Sequence, residues 1–282
     1  MPKKMRVDYL LVERGLAESE ELAQRLVMAG QVRAAGQVVA KPSSQVDANV
    51  ELTVDHGPRF VSRGGEKLEA AFEIFDLKVA NQVCADVGAS TGGFTDCLLQ
   101  HGAAKVYAID VGQGILHWNL RNDSRVVVME STNARFVETL PEPIDFATID
   151  ASFISLKILL PVVKAWFSLT LNPSPITEEL GVRELGQVLT LIKPQFEAGR
   201  KEVARGRGVV RDSEVHARVL LDVLTFAQRD GYQIKGLARS PVLGPKGNVE
   251  FLGWLAFSGE GEPPEISVVE LVSGVTSPPE GG

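Results

Sequence analysis

A glycine-rich turn between two apolar stretches limits what this chain can fold into more than any other feature. The segment CADVGASTGGFTD, residues 84–96, is an apolar run that breaks at the turn and continues with helical spacing. The segment VYAIDVG, residues 106–112, is a second apolar run that ends on Asp110. This order is typical of an α/β nucleoside site, because the turn admits a ligand closely and a following acid can hold ribose hydroxyls.

The spacing within the turn separates three nucleotide ligands. A dinucleotide site needs G-x-G-x-x-G, whereas this turn reads G-x-x-x-G-G. A phosphate-binding loop needs a lysine where this chain has Phe94. The acid directly before the turn, Asp86, would repel phosphate but suits a cationic ligand with an amino-acid end. S-adenosylmethionine is such a ligand and is the expected cofactor; the alternative is a turn that only packs the helix on the strand.

Length and composition predict a cytoplasmic protein. The 282 residues suffice for one large and one small domain, and 44% hydrophobic with 23% charged residues is ordinary for a globular protein. No apolar stretch approaches the roughly 20 residues that span a bilayer, and the N-terminus lacks the apolar core of a signal peptide. No membrane partner is therefore expected. The two cysteines and four histidines show no metal-ligand spacing, so no metal is expected.

Residues 1–60 have the pattern of a small separate domain. Asp8 can cap a first helix, and Ser19 can cap a second one that ends at Gly30. Residues 31–42 read as two short strands joined at Gly36, and residues 51–54 as a third. This α+β pattern resembles the ribosomal S-four-type RNA-binding module. It departs from that family at Glu20, where a basic residue is usual, and at the hairpin, where Ala-Gly replaces Asn-Gly.

RNA contact by this module depends on scattered cations. The formal net charge of −7 argues against binding nucleic acid by bulk attraction. Each cation alone could be an ordinary surface charge, but together, on this pattern, they predict RNA contact. The candidate residues are Lys3, Lys4, Arg6, Arg25, Arg33 and Lys41, with Arg63 in the following connection.

The rest of the chain divides into a linker, a large domain and a tail. Residues 61–67 contain two glycines and read as a linker, after which residues 68–258 alternate strands and helices as a doubly wound sheet requires. Residues 259–282 carry five glutamates and no lysine or arginine, and are expected to be a disordered acidic tail. Residues 170–187 look like a long surface loop. Residues 187–196 have the pattern of a strand, residues 213–229 that of a long helix, and residues 232–240 and 248–257 that of a closing strand pair.

Polar residues stand where the predicted strands end. Parallel strands bring their carboxyl ends to one edge of a sheet, where ligands bind. Asp150 and Lys193 at neighbouring ends suggest an electrostatic site, since buried charges are costly unless paired. For the cofactor, we expect Asp86 at the amino group, Asp110 at the ribose and Asn133 at the adenine. The turn should meet the methionine end through Gly88, Gly92, Gly93 and the hydroxyls of Ser90 and Thr91.

Four motifs in order give the chain a family resemblance. DVGASTGGFTD, IDASFISL, LIKPQFEAG and GPKGNVEFL together resemble the TlyA family of S-adenosylmethionine-dependent ribose 2′-O-methyltransferases, with an FtsJ-like domain. The resemblance spans all but the acidic tail. It implies a Rossmann-like α/β methyltransferase sheet behind a small RNA-binding domain, and methylation of ribosomal RNA in ribosomal subunits, on cytidine.

The resemblance also implies a catalytic tetrad. Members carry Lys-Asp-Lys-Glu, which falls here on Lys67, Asp150, Lys193 and Glu250. We expect Lys193 to activate the 2′-hydroxyl, because a buried lysine can accept or screen its proton. Asp150 and Glu250 are then expected to orient Lys193, and Lys67 to stabilise the substrate oxygen.

Three other functions compete with this one. A non-catalytic RNA-binding or ribosome-assembly factor could keep the cofactor pocket as a relic, although the intact tetrad speaks against decay. A membrane-lytic role is suggested by the label hemolysin that the family often carries, but the chain lacks a long apolar or cationic amphipathic segment. A pseudouridine synthase would share the RNA-binding module but would leave the glycine turn unexplained.

Overall fold

The structure is a computed structural model that describes residues 4–55, 57–167, 184–199, 202–203, 206–258 and 266–277. Lys3, most of the expected loop at 170–187 and parts of the expected tail lie outside these residues. The chain divides into two compact units, an amino-terminal unit Met1–Arg59 and a large unit Phe60–Gly282.

In its described residues, 4–55 and 57–59, the amino-terminal unit contains two helices and five short strands. These are β1 (Lys4–Arg6), α1 (Val7–Glu13), α2 (Glu20–Met28), β2 (Val32–Ala34), β3 (Gln37–Val38), β4 (Gln45–Asp47) and β5 (Leu52–Val54). Strands β3, β2 and β5 form an antiparallel sheet, and β1 pairs with β4. The predicted helix pair, hairpin and third strand are confirmed, while β1 and β4 were not predicted.

One of the two predicted helix caps in this unit is wrong. The Ser19 hydroxyl accepts the Leu22 N–H at 3.2 Å, as a cap of α2 should. Asp8, however, lies inside the first turn of α1 and is fully buried. Its carboxylate pairs with the Arg6 guanidinium at 2.6 Å instead of capping the helix, because a buried carboxylate requires a charged partner.

The large unit is a twisted sheet with helices on both faces. Its strands are β6 (Val83–Val87), β7 (Lys105–Ile109), β8 (Val126–Met129), β9 (Phe146–Ile149), β10 (Glu184–Ile192), β11 (Tyr232–Arg239) and β12 (Phe251–Ser258). Its helices include α3 (Gly64–Phe75), α4 (Gly93–Gln100), α5 (Trp118–Arg121), α6 (Leu156–Lys164), α7 (Pro194–Glu197), α8 (Ser213–Arg229) and α9 (Val268–Thr276). The described strands follow the order β11-β12-β10-β9-β6-β7-β8, and β12 runs antiparallel to its neighbours.

The strand order places a crevice between β6 and β9. The chain moves outward from β6 through β7 to β8, then returns to build β9 and β10 on the other side. In the parallel register of these two strands, Val87 pairs with Ile149. The residues that follow, Gly88 and Asp150, therefore lie side by side at the carboxyl edge. Ligands bind at such switch points of α/β sheets.

Two apolar layers hold the helices on the sheet. Leu160 of α6, Leu220 of α8 and Val272 of α9 pack on one face. Leu68 of α3 and Leu98 of α4 pack on the other. The predicted helix at 213–229 and the closing strand pair are confirmed, and the two strands run from 232 to 239 and from 251 to 258.

Three expected boundaries differ from the structure. The expected linker 61–67 is not a free connection, because α3 begins at Gly64 and the preceding Phe60 is buried in the core of the large unit. The strand expected at 187–196 runs from 184 to 192, because a helix takes over at Pro194. Residues 184–187 therefore belong to a strand rather than to a surface loop.

The tail is not disordered where the structure describes it. Residues 268–276 form α9, and Ser267 caps this helix by accepting the Glu270 N–H. Val268 and Val272 are buried against the main core, so two apolar side chains one helical turn apart anchor the helix. Among the described residues, no helix has the length and apolarity needed to cross a membrane.

Candidate active site

The glycine turn adopts a backbone that side chains resist. Gly88, Ser90 and Gly92 have φ angles of +88°, +51° and +97°. A Cβ atom on Gly88 would lie 2.8 Å from the carbonyl oxygen of Asp150. Glycine is therefore required at position 88, because the turn and the end of β9 touch there.

A second close approach joins the turn to α3. A Cβ on Gly93 would lie 2.3 Å from the Ser62 hydroxyl and 2.7 Å from the backbone nitrogen of Gly65. Gly92 faces the other way, since its Cβ would meet Leu120 at 2.2 Å. Gly93 thus brings the turn against the beginning of the helix that carries Lys67, whereas Gly92 serves packing and lines no part of the cavity.

A cavity of about 290 Å³ opens between these elements. Its floor and one wall come from the glycine turn, and the opposite wall comes from α3 and the segment before β12. Its lining residues include Gly88, Ser90, Thr91, Gly93, Arg63, Lys67, Asp150 and residues 242–245. Four predicted cofactor residues and two of the four tetrad residues therefore share one cavity.

Lys193 and Asp150 form the first of two ion pairs. The Lys193 ammonium lies 2.7 Å from Asp150 Oδ1 and is nearly buried, whereas the Asp150 side chain keeps 20% exposure. The ammonium directs its hydrogen bonds to the Asp150 carbonyl and the Ser152 hydroxyl, both at 3.2 Å. The contact with Oδ1 is close but poorly aligned, and no described residue donates a well-directed hydrogen bond to Oδ1. Because Oδ1 is buried, only the remaining, exposed part of the Asp150 side chain can meet substrate.

Lys67 and Glu250 form the second ion pair. The Lys67 ammonium donates to Glu250 Oε2 at 2.6 Å, and the Glu250 side chain is fully buried. This corrects the expected division of roles, in which Glu250 orients Lys193. The reason is topological: Glu250 enters β12 beneath the start of α3, so Lys67 is the cation in reach.

Two residues missed by the sequence reasoning hold Glu250 in place. Gln195 donates from Nε2 to Glu250 Oε1 at 3.2 Å, which links the segment after Lys193 to the second pair. A Cβ on Gly244 would lie 2.0 Å from the same Oε1, so the carboxylate rests on bare backbone. Both residues lie in the motifs KPQF and GPKG, but their roles depend on contacts distant in sequence.

Asp86 lies beneath the turn rather than in the cavity wall. It is fully buried, and its carboxylate accepts the hydroxyls of Thr95 at 2.7 Å and Thr148 at 3.0 Å. Burial raises the pKa of Asp86 to about 7, although the bonds from Thr95 and Thr148 oppose the rise. The expected contact with the cofactor amino group is therefore not supported. Asp86 instead anchors the first turn of α4 to the sheet.

Asp110 and Asn133 stand at the next two strand ends, outside the cavity lining. Asp110 accepts the N–H groups of Ser90 at 2.8 Å and Gly112 at 2.7 Å, so it braces the glycine turn. Asn133 caps a short helical turn by accepting the Arg135 N–H. Both are partly exposed and remain candidates for ribose and adenine.

Glu130 organises the loop beside Asp110, and the sequence reasoning missed it. Its carboxylate accepts the N–H groups of Gly114, Ile115 and Leu116 at 2.8 to 3.1 Å, as well as the Arg121 guanidinium. The Arg121 guanidinium and the loop amides lower the pKa of Glu130 to about 2. A single carboxylate thus fixes the loop at residues 114–116, which follows Asp110, the candidate residue for binding the ribose.

Phe153 was also missed, and it is unusual in two respects. It is 90% exposed and has a φ of +65°, a conformation that aromatic side chains avoid. Its ring lies 4.7 Å from the ring of Phe196, and the Lys193 ammonium lies 5.7 Å from that second ring. Strained residues collect at functional sites, so this aromatic pair marks the outer edge of the Lys193 site.

All but one of the predicted RNA-binding cations that the structure describes are exposed. Lys4, Arg25, Arg33 and Lys41 are exposed on the amino-terminal unit, and Arg63 is exposed at the cavity in the large unit. Arg6 is committed to Asp8 through two hydrogen bonds. Arg6 is thus the weakest candidate among those described.

The structure also brings together a cluster that the sequence did not predict. Donor atoms of Glu69, Cys97 and His101 lie within 4.8 Å of one another. His101 Nε2 is 2.7 Å from the Glu69 carboxylate, and the Cys97 thiol donates to the same oxygen. These hydrogen bonds join α3 to α4 and account for the cluster.

The cavity suits the amino-acid end of S-adenosylmethionine. Ser90 and Thr91 are exposed, so their hydroxyls are available to a ligand. Gly88 and Gly93 have no side chain to fill the cavity, and a Cβ atom on either would clash with neighbouring backbone. The Ser90 N–H is already bonded to Asp110, so the turn is a poor phosphate cradle. The donors present therefore fit the expected cofactor better than a nucleotide phosphate.

Comparisons with known proteins agree with this geometry. The chain matches the FtsJ-like methyltransferase family over residues 60–257 and the S4 domain family over residues 5–52. It is 44% identical to the 16S/23S rRNA (cytidine-2′-O)-methyltransferase TlyA of Mycobacterium tuberculosis, covering 90% of this chain and 91% of that protein. It is 39% identical to Hemolysin A of Brachyspira hyodysenteriae, covering 88% and 98%. A solved structure from Streptococcus thermophilus, described as a candidate hemolysin, superposes with a TM-score of 0.66 at 43% identity, covering 97% and 96%.

Proposed function

Because this chain belongs to the FtsJ-like methyltransferase family, with an S4 domain and TlyA relatives, we propose that it methylates ribosomal RNA at ribose 2′-hydroxyls. The proposed donor is S-adenosylmethionine and the proposed acceptor is cytidine. Ribosomal RNA as substrate implies action in the cytoplasm.

One observation supports this proposal most directly. Lys67 and Asp150 line the same cavity as the glycine turn, and each is held by a partner of opposite charge, Glu250 or Lys193. Burying two lysines and two carboxylates is costly, and packing alone would be served better by apolar residues. The arrangement is useful where a hydroxyl must lose its proton next to a methyl donor.

The proposed cofactor residues divide by position. Ser90 and Thr91 would bind the carboxylate of the amino-acid end, while Gly88 and Gly93 allow close approach. Asp110 would bind the ribose hydroxyls, because its partly exposed carboxylate still has acceptor capacity beyond its two backbone bonds. Asn133 would bind the adenine edge. The bound cofactor supplies an electrophilic methyl group on a sulfonium.

The tetrad would prepare the acceptor oxygen. Lys193, fixed by Asp150 and Ser152, would bind the ribose 2′-oxygen and stabilise the charge that develops as its proton leaves. The partly exposed Asp150 carboxylate would accept that proton, so the proton passes from the hydroxyl to Asp150 as the methyl group leaves the sulfonium for the oxygen. Lys67, held in place by Glu250, would contact the same oxygen from the other side. The Lys67 and Lys193 side chains keep only 10% and 8% of their surface exposed, which would limit the access of competing water to the ammonium groups.

The acceptor base and the rest of the RNA would meet other surfaces. The exposed ring of Phe153 offers a stacking face for a base next to Lys193. Lys4, Arg25, Arg33 and Lys41 would bind structured RNA through phosphates, together with Arg63 at the cavity.

Methyl transfer to isolated ribosomal subunits tests the proposal. Small and large subunits from cells that lack this activity are incubated with labelled S-adenosylmethionine, and methylated riboses are mapped. We expect 2′-O-methylcytidine, and loss of at least a hundredfold in rate for Lys193→Ala. The matched control is Lys157→Ala, which removes a half-buried lysine of α6 that pairs with Asp222 of α8.

Methylation, cofactor binding and liposome leakage together separate the competing functions. Cofactor binding without methylation of any subunit would favour an assembly factor. If calorimetry detects no cofactor binding while RNA binding is retained, the result would favour a pseudouridine synthase. Liposome leakage by the purified protein would support a lytic role.

A further inference from the structure

Two basic residues stand on adjoining turns beside the cavity. Arg207 lies in the segment 206–210, and Lys246 lies in the turn 244–248. Both have left-handed backbones, with φ angles of +53° and +59°. The Lys246 ammonium lies 3.7 Å from the position that a Cβ on Gly208 would take. The lysine therefore reaches over the residue that follows Arg207.

Hydrogen bonds of one buried asparagine connect the two turns. Asn248 is 3% exposed. Its Nδ2 donates to the carbonyls of Gly208 at 3.1 Å and Pro245 at 3.0 Å, and its Oδ1 accepts the Val210 N–H at 3.1 Å. A left-handed conformation costs roughly 1–2 kcal/mol for a residue with a side chain. Asn248 thus holds two basic residues in a conformation that neither would adopt alone.

Both cations are available to an outside anion. Arg207 and Lys246 are exposed, and in the ranges that the structure describes neither forms an ion pair with a carboxylate. Of the two acids five positions from Arg207, Glu202 pairs with Arg218, and Asp212 accepts the Glu214 N–H at the start of α8. Neighbouring cations repel each other, so a pair held together without a counter-charge suits an anionic ligand.

The turn that carries Lys246 also supports the tetrad. Gly244 and Pro245 line the cavity, and Gly244 is the bare backbone against which Glu250 rests. Glu250 in turn fixes Lys67 at 2.6 Å. A ligand that holds the 244–248 turn will therefore also hold the Lys67–Glu250 pair.

We propose that Arg207 and Lys246 form a subsite for a backbone phosphate of the RNA strand next to the methylated nucleotide. The proposal rests on the function proposed above. A phosphodiester offers two anionic oxygens, which suit one arginine fork and one lysine point charge. Through Gly244, the phosphate would also steady Glu250, so that RNA seated in the subsite improves the placement of Lys67.

Charge removal that respects the backbone tests the subsite. Lys246→Asn and Arg207→Asn remove the cations, and asparagine tolerates the left-handed region, so the fold is kept. We expect each variant to raise KM for the ribosomal substrate roughly threefold to tenfold. The slope of log affinity for RNA against log salt concentration should decrease in magnitude by about one, because one phosphate contact is lost. Calorimetric affinity for S-adenosylmethionine should stay unchanged. Lys246→Arg, which keeps the charge, should retain most of the affinity for RNA.

Lys78→Asn provides the matched control, since Lys78 is an exposed lysine of the large unit beside Asp76. Unchanged KM and salt slope in Lys246→Asn and Arg207→Asn, with active wild-type protein, would overturn the subsite and leave the proposed function intact. Inactive wild-type protein on all ribosomal substrates would instead refute the proposed function. An equal rise in KM in the Lys78→Asn control would show that any surface cation contributes to RNA binding, and would also overturn the subsite.

Discussion

The Lys67 ammonium donates to a carboxylate oxygen of Glu250 at 2.6 Å, although the two residues lie 183 positions apart in the chain. The pair joins the start of α3 to the start of β12. Removing one partner of such a pair leaves an unpaired charge and costs about 3 kcal/mol or more. Lys67 therefore depends on Glu250 for its position and for its burial.

Displacing Glu250 should reduce turnover more than cofactor binding. Glu250→Gln removes the charge, and Gly244→Ala places a methyl group where Oε1 now lies, 2.0 Å from the new Cβ. We expect both variants to lose roughly a hundredfold in kcat, with S-adenosylmethionine affinity changed less than threefold by calorimetry. Gly274→Ala is the control, since nothing lies within 4 Å of its new Cβ. Loss of cofactor binding in step with kcat would contradict a role for Glu250 limited to Lys67.

The contact between Gly93 and α3 should be intolerant of a single methyl group. In Gly93→Ala the new Cβ would meet the Gly65 backbone nitrogen at 2.7 Å, which cannot move without shifting α3. We expect a loss of about 1–3 kcal/mol in the free energy of unfolding and roughly tenfold weaker S-adenosylmethionine binding. Urea denaturation and calorimetry measure the two effects. Wild-type cofactor affinity in this variant would mean that α3 and the turn can separate freely.

Stability should fall as Asp86 ionises. Because burial raises the folded-state pKa to about 7, the unfolded chain releases this proton first as the pH rises above about 4. The folded state then loses stability between about pH 4 and 7, by up to about 4 kcal/mol. Asp86→Asn removes this loss, and its amide can still bond the hydroxyls of Thr95 and Thr148. The stability difference between the variant and the wild type should therefore grow across this range in favour of the variant.

Urea denaturation at several pH values measures this difference, and Asp123→Asn is the control. The Arg125 guanidinium lowers the pKa of Asp123, so its ionised form is favoured by folding. The control difference should therefore stay constant between about pH 4 and 7, and should change in the opposite direction only below about pH 4. Parallel stability curves for the wild type and Asp86→Asn would show that Asp86 is ionised in the folded protein throughout.

Local patterns predicted most of the fold, because strands, helices and turns depend on nearby residues. The strand, glycine turn and α4 follow from apolar spacing and glycine positions, and α8 was predicted with its bounds. Helix α9 was missed because an acidic, proline-containing composition hides two apolar residues. Val268 and Val272 become informative only against the surface formed by α8 and β11.

The pairing within the site could not be read from the sequence. Motifs supplied the four charged residues, but the partner of each lysine depends on which strand end lies under which helix. The pattern around Asp86 is the same whether the acid faces a ligand or the interior, so its burial was missed too. Phe153 gave no signal, because a left-handed aromatic residue results from tertiary constraints.

Phe153 should lower the stability of the protein and raise its activity. At φ +65° asparagine is favoured over phenylalanine, and 90% of the ring is exposed, so Phe153→Asn should gain about 1 kcal/mol in the free energy of unfolding. If the ring stacks on the acceptor base, the same variant should lose roughly tenfold to a hundredfold in kcat/KM for the ribosomal substrate. Phe153→Tyr keeps an aromatic face and should retain activity. Val269→Asn, which removes an exposed apolar side chain from α9, should leave methylation unchanged. A Phe153→Asn enzyme with wild-type kcat/KM would show that the strained ring contacts no base, and that its conformation serves only the packing with Phe196.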